Sequence, residues 1–133
     1  MAWTNPKTNW QNGDYFNVNP DYNRIKGNIE WLIDFAETIY GSFEAPTLES
    51  ATTATIPYLS FFNNIVEATS AILDNCLTPQ GARPMRLYSA NGLGFSADEL
   101  NAIETNHLLL YQALPEVRNG LTKLSFTLGG TRF

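Results

Sequence analysis

The side chains that could do chemistry in this chain are few, and they do not converge. There is one histidine, His107, and one cysteine, Cys76. A Cys–His nucleophile pair needs both side chains within hydrogen-bond reach and a third group to orient the base. His107 instead takes a core-face position in a helical repeat. Cys76 lies near the end of another helix, where cysteine behaves as a small apolar residue. Both are read as core residues. Glu30, Asp34 and Glu37 recur at i, i+4 and i+7, so they line one side of a helix. Such a row suits a hard cation only in principle, because calcium sites collect oxygens from a turning loop, and it is read as a solvated face. Gly92-Leu93-Gly94-Phe95 opens a helix but has neither a convincing buried strand before it nor a phosphate-loop lysine, so it reads as a tight turn. No catalytic, cofactor-binding or metal-binding residue is assigned, no cofactor is expected, and the chain is expected not to be an enzyme.

These residues sit on helices with a shared pattern. Asn19 caps a first helix over 20–40, Pro20 suits its first position, and Asp21 suits the positive end of its dipole. Tyr22, Ile25, Ile29, Leu32 and Ala36 recur at spacings of 3, 4, 3 and 4, one face of an α-helix. Gly41 is placed to end it in a left-handed turn. A shift of 78 residues gives a second copy, Leu100, Ile103, His107, Leu110 and Leu114. Ser96 and Glu99 form a capping box there, with Phe95 and Leu100 placed as a staple. Asn23 matches Asn101, and Asn28 matches Asn106. Asparagine is a poor helix-interior residue, so these four are read as structural, each tying down the segment that leads into its helix.

Trp10, Gly13, Asp14, Tyr15, Phe16 and Asn17, followed by Asp21, Tyr22, Asn23, Arg24, Ile25, Asn28, Ile29 and Leu32, give W-x-x-G-D-Y-F-N and then D-Y-N-R-I-x-x-N-I-x-x-L. This resembles the opening of small structural proteins of tailed bacteriophages and prophages of Gram-positive bacteria. The likeness covers roughly residues 3–32. It implies a tail, baseplate or fibre component, with no catalytic residues to carry over. Its expected partners are other copies of the chain or other virion proteins, and its expected location is the virion.

Composition bounds the rest. A chain of 133 residues with 44% hydrophobic residues is expected to form a single domain. Charged residues are only 16%, below the usual quarter. The net charge of -5 is unevenly spread: seven acids and no lysine or arginine lie between Lys26 and Arg83, and no acid follows Glu116. An acidic middle argues against a nucleic-acid backbone as partner, and a basic tail could match an acidic body between subunits. No run is long enough to span a membrane. The polar opening MAWTNPKTNWQNGDY lacks a signal-peptide core, so the chain is expected to be made in the bacterial cytoplasm.

Residues 1–18 read as an aromatic arm carrying Trp3, Trp10, Tyr15 and Phe16. Such an arm is expected to lie on apolar surface, on its own helices or on a neighbouring subunit. A carbohydrate- or cell-surface-binding module using the arm is the alternative function. A second helix over 56–77 is apolar on two adjacent stripes and is expected to sit between the two related helices, 20–40 and 97–114. Pro115 is expected to end the third helix. Leu124, Phe126 and Leu128 alternate with Lys123, Ser125 and Thr127, which predicts a strand within a tail over 118–133. The expected fold is mainly α, a small three-helix bundle with a minor β element near the C-terminus. Trp3, Trp10, Tyr15, Phe16, Arg118, Lys123, Arg132 and Phe133 are the candidate interface residues.

Overall fold

The computed structural model of the chain describes residues 3–14, 17–48, 59–85 and 97–131, with the backbone alone for 18–19, 59–61 and 121–131. Three helices account for most of it: α1 (Asn23–Tyr40), α2 (Leu59–Asn75) and α3 (Ala97–Thr131). Helical winding begins before α1 with a π-turn over Val18–Tyr22, in which the Tyr22 N–H donates to the Asn17 carbonyl (2.9 Å). The side chain of Asn19 lies outside the described residues. A reciprocal contact fixes this start instead: the Asn17 N–H donates to the Asp21 carboxylate (2.9 Å). Gly41 closes α1 with φ at 83°, as a glycine there allows, and its N–H on the Glu37 carbonyl, but ψ at 178° makes the turn an opened one rather than the left-handed helical turn expected. Residues of the second capping box and staple, Ser96 and Phe95, lie outside the described residues.

All three helices run in the same direction. Arg24 meets Glu104, Trp31 meets Tyr111, and Thr69 meets His107. One half of the core gathers Ile25, Ile29, Ile65, Ala68, Leu100 and Ile103; the other gathers Leu32, Ala36, Ile72, Leu110 and Leu114. Rising numbers on one helix therefore meet rising numbers on the other two. Parallel neighbours require the chain to return along the bundle between helices. The described parts of the connectors run this way: Phe43 packs on the second half of the core and Leu48 in the first. Gly81 lies near Leu109, and Arg83 bonds Asn106. An internal periodicity accompanies this course. Asn-x-Ile recurs in the first half of each helix, at Asn23-x-Ile25, Asn63-x-Ile65 and Asn101-x-Ile103, with the isoleucine buried each time.

Three expectations are corrected. The second helix does not separate the related pair, since α1 packs against both α2 and α3; a buried stripe reports that a face is covered, not by which neighbour. Pro115 does not stop the third helix, which carries it inside. The strand in the tail 118–133 is not formed: α3 continues through Thr131, and no strand occurs among the described residues. The physical reason is a competing repeat. Leu114, Val117, Leu121, Leu124 and Leu128 are spaced 3, 4, 3 and 4, the helical period, which outruns a six-residue alternation. Met85 is in no regular element.

Candidate functional site: a clasped arm, an aromatic face and an acidic groove

The arm 3–14 lies on its own helices, and asparagine side chains hold it there. A carboxamide carries one acceptor and two donors, so it can bond the N–H and C=O of one extended residue at once, as a neighbouring strand would. Asn28 does so to Thr4, accepting from its N–H (2.9 Å) and donating to its carbonyl (2.7 Å). Asn101 does the same to Trp10 (2.7 and 3.0 Å). Asn106 does the same to Arg83 (2.7 and 2.9 Å). Asn28 and Asn106 thus each bind the segment that leads into their own helix, 24 and 23 residues upstream. Asn101 binds the other helix's arm. Asn23, the remaining member of the predicted four, is exposed.

Beneath the arm is a charged node that the motifs did not announce. Glu104 is fully buried on α3. Arg24 of α1 reaches it with two parallel bonds, Nε to Oε1 at 2.8 Å and an Nη to Oε2 at 2.9 Å. The Trp10 indole N–H (2.6 Å) and the Lys7 backbone N–H (3.0 Å) also donate to it. Arg24 further touches Asp21 at 3.2 Å. Burial works against the Arg24 charge, but the bonds and charge of Glu104, helped by Asp21, outweigh it and raise its pKa. Glu104 had a legible signal: with Leu100, Ile103 and His107 it completes an i, i+3, i+4, i+7 face, so a carboxylate there must be paired when buried.

His107 is fully buried, as expected of a core histidine, with Nε2 2.8 Å from the Thr69 hydroxyl and no partner for Nδ1. The cheaper tautomer places the proton on Nε2, since a bare acceptor costs less than a buried orphan N–H. Burial first, and the Arg24 charge second, push its pKa down to about 3. Cys76 packs against the second half of the core, and burial, then the Glu37 charge, raises its pKa.

Two surface features complete the picture. Trp3 stacks on Tyr111 (centroids 4.1 Å, planes at 4°), and Trp31 stacks on Phe35 (5.1 Å). The Arg118 guanidinium lies 5.6 Å from the centre of the Phe35 ring. This half-buried aromatic face includes two candidate interface residues, Trp3 and Arg118. Trp10 is only 4% exposed, so it presents no face to a sugar or to another subunit. Tyr15, Phe16, Arg132 and Phe133 lie outside the described residues, as does the side chain of Lys123. A cavity of about 310 Å³ opens between α1 and residues 43–48, walled by Ile29, Ile33, Phe43 and Leu48 and edged by Glu30, Asp34 and Glu37. Glu30 is paired with Lys26 at 3.0 Å. Among the described residues no cluster of histidine, cysteine and carboxylates is arranged to hold a metal, and no helix is long and apolar enough to cross a membrane. Comparison with protein-family models, with curated proteins and with solved structures found no match to this chain.

Proposed function

We propose that the protein is a non-enzymatic structural or assembly component of a tailed bacteriophage or prophage, of tail, baseplate or fibre type, acting through contacts with copies of itself or with other virion proteins. One observation carries the reading. Four of the residues that carry the resemblance to phage structural proteins, Trp10, Asp21, Arg24 and Asn28, take part in seating the arm, together with Asn101 and Glu104 of the third helix. A motif spent on holding a segment in place fits a part whose work is shape. Arginine and aromatic residues of the kind gathered at Trp3, Trp31, Tyr111 and Arg118 are also enriched at protein interfaces.

The test is direct. Particles purified on a density gradient from an induced culture of the strain that encodes the chain will contain it, by mass spectrometry, in a copy number that is a multiple of three or six. Particles that are complete and infectious without it would overturn the reading.

A further inference from the structure

The last part of α3 stands apart from the bundle. Arg24–Glu104 and Trp31–Tyr111 pair the helices at a constant offset of 80 residues. At that offset the last residue of α1, Tyr40, is level with Gly120. Thr69–His107 places the end of α2 at about residue 113. The helix nevertheless runs to Thr131, so its final 11 residues extend roughly 16 Å beyond both neighbours, at 1.5 Å per residue. Asn119 and Gly120 are exposed where it leaves, and nothing lies within 4 Å of a Cβ built at Gly120. An isolated helix this short is marginal in water. The segment is amphipathic in sequence, with Leu121, Leu124 and Leu128 at helical spacing; its one charged residue is Lys123, Arg118 precedes it and Arg132 follows it in the sequence, and no acidic residue comes after Glu116.

The groove beside α1 has the opposite character. Its apolar walls, Ile33, Phe43 and Leu48, are edged by Asp34 and Glu37 and by Glu30, which is paired with Lys26, and no lysine or arginine lies between Lys26 and Arg83 in the sequence. We propose that this groove receives the projecting end of α3 from a second copy of the chain. Charge selects this occupant over the obvious rival, a coil of several α3 ends, which would gather only cations. Continuity selects a second copy over the chain's own end: α3 is one unbroken helix, and its end points away from the groove of its own bundle. A helix laid in a groove by anchors at i, i+3 and i+7 is an established mode of recognition. The contact is head-to-tail, so it propagates into a ring or a filament. This proposal does not depend on the virion reading.

Light scattering behind size exclusion tests it on the full chain. Mass should rise with concentration above 14.9 kDa at low salt, and fall back at about 1 M salt, where the screening length is about 3 Å. Asp34→Lys with Glu37→Lys breaks the groove, and Leu121→Glu with Lys123→Glu breaks the helix end. Each double variant, with helicity retained by circular dichroism, should be monomeric alone. Mixed, the two should form a capped one-to-one dimer, because one still offers an intact helix end and the other an intact groove. A natural chain that stays monomeric at high micromolar concentration overturns the proposal. So does a groove variant that still self-associates, which would mean that the α3 ends pair with each other.

Discussion

The two halves of the bundle are held by different physics. Around Arg24, Glu104 and Trp10 the contacts are directional and charged, and almost every group has a stated partner. Around Trp3, Trp31, Phe35 and Tyr111 they are ring on ring, with Trp3 Nε1 buried and unbonded. The first half depends on each member, because removing one leaves buried donors or a charge without a partner. The second half depends on area and shape, so neighbours can close partly over a loss. The difference separates what fixes the arm's position from what merely covers its end.

The sharpest way to break the comparison is Glu104→Ala. It leaves the Arg24 guanidinium, 9% exposed, with Asp21 as its remaining carboxylate, and takes the acceptor from the Trp10 indole N–H and the Lys7 N–H. Loss of one partner of a buried ion pair costs about 3–5 kcal/mol, read as the urea midpoint at unchanged slope. Next come Asn28→Ala and Asn106→Ala. Each removes two hydrogen bonds to one backbone residue, and we expect a cost of roughly 2–3 kcal/mol each from the usual value per bond. Equal losses would show that the two arms are anchored alike. Asn28→Asp should be as damaging as the alanine variant, because it replaces the donor to the Thr4 carbonyl with a second acceptor. At the aromatic face, Trp31→Leu should cost about 0.5–1.5 kcal/mol beyond the area it uncovers.

The last prediction concerns pH. The folded protein holds His107 neutral down to about pH 3, whereas the free side chain titrates at 6.5. Below 6.5 the unfolded state therefore binds a proton that the folded state refuses. The stabilisation is complete above 6.5 and is lost as pH falls towards 3, by about 1.4 kcal/mol per pH unit. His107→Leu should remove that slope. Unfolding at pH 7 and pH 4.5 should show the natural chain losing more stability than the variant; parallel losses would refute it.

Some of this was legible in the sequence. Asn28 and Asn106 stood out because asparagine inside a helix needs a reason, and the reason is the clasp. His107 on an apolar face and Gly41 after one were legible for similar local reasons. The pairings between elements leave no local trace, even where one member, Glu104, does. Arg24 and Glu104 lie 80 residues apart, and an ion pair across helices has no period. An apolar stripe shows that a face is covered but not which way its neighbour runs, so the parallel course stayed hidden until the connectors were seen to return. Around Pro115 two local rules conflicted. Proline removes one helical bond, but the apolar repeat from Leu114 to Leu128 resumes in phase on its far side, and the repeat prevailed.

The clasp also has a consequence in time. Lys7 and Trp10 bond to Glu104 and Asn101 across separations of 91 to 97 residues. Contacts of such long range close slowly, because the entropy of the intervening loop must be lost before any bond forms. During synthesis the arm therefore waits, its tryptophans exposed, until the third helix has left the ribosome. The arm is made before the helices it rests on and placed after them, and through that interval it is open to a wrong neighbour.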